Sequence, residues 1–94
     1  MADEWEVVHD EARGRFEVAL DGQTAEFDYY RRGDSMVITH TGVPRAWEGR
    51  GIAAAMTRAA LDYARDNDLS VTPLCSYAAA YIRRHPEYRD LTAD

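Results

Sequence analysis

Residues 39–53, which read THTGVPRAWEGRGIA, decide how the rest of this chain is interpreted. A predicted strand ends near Thr41, Pro44 stops it, and an alanine-rich stretch with helical spacing begins at Gly51. The first N–H groups of a helix have no partner within the helix, and they carry the positive end of its dipole. Gly49 and Gly51 remove the side chains that would keep a phosphate away from those groups. The segment therefore predicts a site for a phosphate or pyrophosphate; the alternative is that the glycines only turn the chain.

The sequence before this segment predicts an antiparallel meander of four short strands. Apolar and polar side chains alternate in each strand, as on a sheet with one buried face. Asp21-Gly22 predicts a two-residue hairpin turn whose central positions both favour residues that tolerate positive φ. The predicted strands are Trp5–His9, Arg15–Leu20, Thr24–Arg31 and Ser35–Thr41, with turns at Glu11–Gly14 and Arg32–Asp34.

The sequence after this segment predicts a helix, a strand and a second helix. Apolar residues recur at helical spacing from Gly51 to about Asn67. Leu69–Leu74 follows as an apolar strand, which Pro73 directs to a sheet edge or an irregular end. Ser76–Arg84 predicts a short helix that Pro86 closes. The fold class is therefore α+β in the order β-β-β-β-α-β-α, with the fifth strand parallel to the fourth.

Length and charge limit the function classes. Ninety-four residues predict one domain, 1–94, and the fractions of 46% hydrophobic and 30% charged residues are those of an ordinary globular domain. The net charge is −6, and residues 1–48 carry the excess, with eleven acids against five arginines. An acidic chain fits the phosphates of nucleic acid poorly, so no nucleic-acid partner is expected. The acidic half would attract a cationic amine, or it is simply a solvated surface.

Other absences in the sequence concern membranes, disulfides and metals. No apolar run is long enough to span a membrane, and Met1–Glu4 lacks the basic and apolar blocks of a signal peptide. Cys75 is the single cysteine and cannot form an internal disulfide, so a reducing, cytoplasmic setting is expected. The three histidines lack the spacing of metal ligands, and we expect no metal.

Residues 49–54 also fit the dinucleotide-binding pattern G-x-G-x-x-G/A. That fingerprint requires an acidic residue at the end of the next strand, where this chain has Pro73, Leu74 and Cys75. The chain is also too short for a doubly wound sheet, and its lack of lysine excludes a P-loop. Nucleotide-dependent functions are therefore disfavoured.

Three separated motifs together resemble the small, stand-alone branch of the GNAT acetyltransferase superfamily. They are HTGVP at 40–44, GRGIA at 49–53 and PLCSY at 73–77, and the stretch YIRRHPEY at 81–88 adds to them. The resemblance covers nearly the whole chain and implies a GNAT-like fold that binds acetyl-CoA. The pyrophosphate would lie on the glycine turn, and the pantetheine arm in a gap between strands four and five.

The phosphate loop of that superfamily reads Q/R-x-x-G-x-G/A. Here Ala46 stands where Gln or Arg is usual, and Arg45 next to it would supply the cation. The resemblance thus implies these CoA-binding residues: Thr41, Gly42, Val43, Pro44, Arg45, Glu48, Gly49, Arg50, Gly51, Ile52, Ala53 and Arg84.

The resemblance also directs the acyl thioester toward His40, Thr41 and Cys75. A helix N-terminus can lower the pKa of a cysteine thiol, and the thiolate is the reactive form. This permits a route in which Cys75 carries the acyl group; the alternative is that Cys75 only packs the end of the strand. His40 would deprotonate the amine or activate Cys75, or it is structural. The superfamily often uses a tyrosine as the acid that protonates the departing thiolate, and the resemblance assigns this role to Tyr81. The alternative is that Tyr81 is an aromatic residue of the core. Strand four carries no glutamate base.

Two functions follow from these residues. The first is an acetyl-CoA-dependent N-acetyltransferase that acts on a small-molecule or peptide amine. The second is a non-catalytic acyl-CoA-binding or protein-interaction module with the same fold. We expect a monomer or a weak dimer in either case.

Overall fold

Five strands and two helices follow one another in the predicted order. The computed structural model describes residues 5–92. The expectation that Met1–Glu4 is not part of a signal peptide therefore concerns residues outside the described range. The elements are β1 Val8–Asp10, β2 Arg15–Ala19, β3 Thr24–Arg32, β4 Ser35–Gly42, α1 Ile52–Asp66, β5 Ser70–Pro73 and α2 Ser76–Arg84. The predicted α+β class is confirmed.

The strands form one sheet in the order β1-β2-β3-β4-β5. The first four are antiparallel neighbours, and β5 lies parallel to β4 at the edge, where Pro73 needs no ladder N–H. β1 begins at Val8 and not at Trp5 as predicted; Trp5 instead donates an indole hydrogen bond to the Arg50 carbonyl. The hairpin at Asp21-Gly22 closes between Leu20 and Gln23 as predicted.

That hairpin differs from the prediction in one detail. Gly22 has a φ of 75°, but Asp68 is the one non-glycine residue with positive φ in the described part of the chain. Asp21 therefore keeps a negative φ, and a single left-handed glycine is enough to reverse the chain here.

One face of the sheet packs against the two helices. The predicted row of Ala25, Phe27 and Tyr29 in β3 is buried, and Phe27 is 0% exposed. α1 buries Ile52, Met56, Ala60, Leu61 and Ala64 on this face, and α2 adds Ala78, Tyr81 and Ile82. Burial of a large apolar side chain stabilises the fold by about 1.5–3 kcal/mol, so this layer holds the domain together.

A bulge in β4 decides which side chains face the helices at the end of the strand. Tyr29 pairs with Ile38 and Asp28 pairs with His40, so Thr39 is an extra residue in β4. Thr41 then pairs with buried Phe27 and faces the helices. His40 lies on the opposite face, which none of the helices in residues 5–92 covers.

The ladder between β4 and β5 ends early. Its last pair is Ile38 with Pro73, and the N–H groups of Leu74 and Cys75 both donate to the Ile38 carbonyl. The ladder to β3 continues to Gly42. Residues 39–42 therefore have an open edge where the resemblance predicts that strands four and five part.

Two 3₁₀ segments were not predicted. One is a single turn at Arg45–Trp47, and the other, Pro86–Thr92, follows α2 after Pro86 ends it as predicted. The second segment buries Tyr88 and Leu91 against the core. No helix within residues 5–92 has the length and apolar character needed to cross a membrane.

Candidate functional site

A cleft of about 350 Å³ opens between the end of β4 and the first turn of α1. It brings together seven of the residues predicted to bind the CoA moiety, namely Thr41, Val43, Glu48, Gly49, Gly51, Ile52 and Ala53. Trp47, Ala54 and Tyr77 complete its lining. We call it the α1 cleft.

The glycine turn has the geometry of an anion site. Gly49 and Gly51 have φ angles of 81° and 84°, which L-residues with a Cβ rarely adopt. Gly51 is the N-cap of α1, and among the described residues no side chain caps it. The first helical hydrogen bond runs from Ala55 N–H to the Gly51 carbonyl, so the N–H groups of the preceding residues, Ile52–Ala54, have no acceptor within the helix. These donors and the dipole can bind a phosphate.

The arginines near this turn are exposed and stand around the cleft. The Arg50 guanidinium carbon lies 4.8 Å from the centroid of the Trp47 ring, which orients it beside the turn. Arg45 lies in the 3₁₀ turn before the glycines, and Arg84 is the last residue of α2. None of these three is among the residues that line the α1 cleft. The groups available to a phosphate within the cleft are therefore the backbone N–H groups of the turn and the first turn of α1.

Cys75 lies at the N-terminus of α2, as the sequence predicts. It is half-buried, and its Sγ lies 3.4 Å from the Thr41 hydroxyl. Burial raises the pKa of the Cys75 thiol, but hydrogen bonds from the Thr41 hydroxyl and the N–H groups of Ala78, Tyr77 and Thr41 outweigh it. The net pKa of the thiol is therefore below its ordinary value, which favours thiolate.

The two tyrosines of α2 have different surroundings. Tyr81, the predicted acid, is 5% exposed and stacks on His85 at 3.9 Å between ring centroids, within the core. Tyr77, one turn earlier, lines the α1 cleft. Burial is the main cause that raises the pKa of both phenols. Both hydroxyl groups therefore stay protonated and can donate a proton or a hydrogen bond. The structure thus brings Tyr77 to the cleft and leaves Tyr81 in the core.

His40 does not face Cys75. Thr41 contacts Cys75 on the helix side of β4, and successive strand residues point to opposite faces, so His40 faces away. Its Nε2 lies 3.5 Å from Oε2 of Glu26. The expectation that His40 activates Cys75 directly is wrong for this reason.

His40 and Glu26 line a second cleft of about 400 Å³ on the open face of the sheet. The other lining residues are Gln23, Thr24, Gly42, Val43 and Pro44. Glu26 was not predicted to be a site residue; it comes from β3 and pairs with Gly42. The sequence predicts that Glu26 lies on the polar face of β3, but it does not predict the strand pairing that brings Glu26 to His40. We call this the His40 cleft.

The two clefts meet at Val43, which lines both. They lie on opposite faces of the sheet at the open end of β4. The open edge of residues 39–42 lies at this same end of β4. In the described part of the chain no group of three or more acids, histidines or cysteines is placed to hold a metal ion.

Comparisons with known proteins identify the family and the fold. Residues 15–91 match the GCN5-related N-acetyl-transferase family. Protein NATD1 of Gallus gallus is 38% identical over 84 residues, which cover 86% of this chain and 76% of that protein. Protein NATD1 of Homo sapiens is 39% identical over 83 residues, 85% of this chain and 74% of that protein. A solution NMR structure of a GCN5-like protein from Staphylococcus aureus is similar with a TM-score of 0.73 and 26% identity, over 96% of this chain and 89% of the other.

Proposed function

The chain belongs to the GCN5-related N-acetyltransferase family, and we propose that it transfers the acetyl group of acetyl-CoA to an amine. The observation that carries the proposal is the pair of clefts that meet at Val43, one with phosphate-binding backbone and one with a histidine and a carboxylate. Such a pair gives each of two substrates its own face of the sheet.

The α1 cleft fits the acyl donor. The N–H groups at the start of α1 would bind the pyrophosphate, and Gly49 and Gly51 leave open space above them. Arg45, Arg50 and Arg84 would balance the remaining negative charge from outside the cleft. The open edge of residues 39–42 offers backbone partners to the amides of the pantetheine arm. Acetyl-CoA supplies an acyl group activated as a thioester.

The His40 cleft fits the acceptor. An amine attacks an acyl group only when it is deprotonated, and an imidazole is the side chain that most often accepts such a proton. Glu26, 3.5 Å away, would orient the imidazole and stabilise the imidazolium that forms. The carboxylate that β4 lacks thus comes from β3.

A two-step route would pass through Cys75. Its thiolate would attack the thioester carbonyl, forming an acyl-cysteine and expelling the CoA thiolate. Tyr77, and not Tyr81, would protonate that thiolate, because Tyr77 lines the cleft. The amine would then attack the acyl-cysteine and expel the Cys75 thiolate. Because His40 lies on the other face of β4, the amine would lose its proton to solvent in this route, and solvent would reprotonate Tyr77. In the direct route the amine attacks the thioester itself, Thr41 only lines the α1 cleft, and Cys75 only contacts Thr41.

We place the reaction in a reducing, cytoplasmic compartment, because the route through Cys75 needs a free thiol. Cys75 is the one cysteine of the chain and is only half-buried. Thiol titration of protein from a cytoplasmic extract should find Cys75 reduced. A mixed disulfide there would contradict the compartment.

A non-catalytic acyl-CoA-binding module of the same fold is the second candidate. The observation in its favour is that His40 and Cys75 lie on opposite faces of β4, so Cys75 has no imidazole beside it. Binding and transfer must therefore be tested separately.

The test combines calorimetry with CoA, intact mass spectrometry after incubation with acetyl-CoA, and thiol release in the presence of spermidine or a peptide with a free amine. We expect CoA binding and amine-dependent thiol release. His40→Gln should lower the release and leave CoA binding unchanged. An acetyl adduct that disappears in Cys75→Ala identifies the two-step route. CoA binding without thiol release would identify the non-catalytic module, and no CoA binding would refute both functions.

A further inference from the structure

We infer that Trp5, in the segment before β1, is a positioning residue for the glycine turn at Gly49–Gly51 and thereby for CoA affinity. The inference rests on the proposed function, because it requires that this turn hold the CoA pyrophosphate. Trp5 Nε1 donates a hydrogen bond to the Arg50 carbonyl oxygen at 3.0 Å, across 45 residues of sequence. This contact joins the start of the chain to the middle of the turn.

The sheet explains why the start of the chain reaches the turn. One row of paired residues runs across four strands, from Val8 through Glu17 and Glu26 to Gly42. β1 therefore begins at the end of the sheet where β4 finishes. Trp5 lies three residues before Val8, at that same end.

The hydrogen bond sets the direction of a donor in the α1 cleft. Arg50 has a glycine on each side, both at positive φ, so sterics alone restrict the backbone of the turn little. In a trans peptide the C=O points opposite to the N–H that follows it. When Trp5 holds the Arg50 carbonyl, the Gly51 N–H is held pointing away from Trp5. Gly51 lines the cleft, so its N–H, held in this direction, would add a donor to those of Ile52–Ala54.

The indole also packs against the neighbours of the turn. Trp5 meets Trp47 edge-to-face, with ring centroids 6.2 Å apart and an interplanar angle of 83°. The Arg50 guanidinium lies over that same Trp47 ring. Main chain and side chain of the exposed residue Arg50 are thus both held by tryptophans before any ligand binds. Ordering a loop in advance lowers the entropic cost of binding.

The test removes the indole donor, once with the shape of the ring system kept and once with a smaller ring. In one variant Trp5 is substituted by 3-benzothienylalanine, which has sulfur in place of the N–H, and in another by phenylalanine. Val8→Thr is the control in the same segment, since Val8 is 52% exposed and outside both clefts. Kd for CoA is measured by calorimetry, and Kd for pantetheine, which lacks the pyrophosphate, by NMR titration.

We expect both Trp5 substitutions to raise the Kd for CoA about five- to tenfold, as for the loss of one hydrogen bond, and to leave the Kd for pantetheine unchanged. Val8→Thr should change neither. An unchanged Kd for CoA, or an equal loss for both ligands, overturns the inference while the proposed function stands. A wild-type chain that binds no CoA refutes the proposed function and this inference together. The benzothienyl variant retains the ring contact with Trp47, so loss of folding does not obscure the result.

Discussion

Replacing Gly51 by alanine separates the conformation of the glycine turn from its role in binding. Gly51 has φ 84° and ψ 9°, a region that costs an L-residue about 1–2 kcal/mol. Alanine also restricts the unfolded chain, which offsets about 0.4–1 kcal/mol of this. An added Cβ meets no atom within 4 Å, so no clash contributes. We expect the free energy of unfolding to fall by about 1 kcal/mol, which lowers Tm by about 4–8 °C.

The same Cβ should weaken CoA binding beyond this loss of stability. It would stand at the start of α1, between the incoming phosphate and the free N–H groups. A hydrogen bond to a charged group contributes about 1.5–3 kcal/mol, so losing one raises Kd roughly ten- to a hundredfold. Gly51→Asn is the complementary variant, because asparagine tolerates the left-handed region and should recover stability without recovering binding.

Gly22→Ala is the matched control for strain. Gly22 has a φ of 75° and, like Gly51, open space around an added Cβ, but it lies in the β2–β3 hairpin and lines neither cleft. Urea unfolding without ligand should show similar losses for both alanine variants, and calorimetry should show weaker CoA binding only for Gly51→Ala. If Gly51→Ala bound CoA like the wild type, the backbone-donor account of the site would be wrong. Equal weakening by Gly22→Ala would mean that strain, not the site, controls affinity.

Three further predictions concern single groups. Thr41→Val removes a hydrogen bond to Cys75 and should raise the pKa of the Cys75 thiol, whereas Thr41→Ser keeps the hydroxyl and should leave that pKa unchanged. The pH dependence of iodoacetamide alkylation measures the thiol pKa, and the same pH profile in Thr41→Val as in the wild type would contradict the prediction. In Gly42→Ala the added Cβ would lie 2.9 Å from His40 Nε2, so it should displace the imidazole and lower kcat; equal kcat would count against His40 as the base. Burial lowers the pKa of His9 below its usual 6.5, so the unfolded chain binds the proton first. The contribution of His9 to the free energy of unfolding should be fully present above pH 6.5 and should be lost as the pH falls through the lowered pKa. Urea unfolding at several pH values should show a smaller dependence of this free energy on pH in His9→Asn.

The sequence predicted those parts of the fold that depend on local periodicity. In β3 the apolar residues Ala25, Phe27 and Tyr29 alternate with polar residues, and in α1 the apolar residues Ile52 and Met56 recur at helical spacing. Both elements could therefore be predicted from the sequence. These patterns depend only on neighbours along the chain.

The parts that were not readable depend on pairing between strands. The bulge at Thr39 moves His40 to the face opposite Cys75, and no residue type in that strand marks such an insertion. Glu26 reaches His40 because their strands pair, and Trp5 reaches the glycine turn because β1 begins at that end of the sheet. Long-range register, not composition, decides these contacts.

The early end of the β4–β5 ladder limits what can join this sheet by backbone pairing. Residues 39–42 are a free edge of four residues, shorter than the average strand of about five to six. Free strand edges are sites where chains aggregate, and proteins reduce the risk by keeping them short. Under the proposed function the two amides of a pantetheine arm would pair with this edge. A bound acyl donor would then also protect the edge from pairing with a strand of a second molecule.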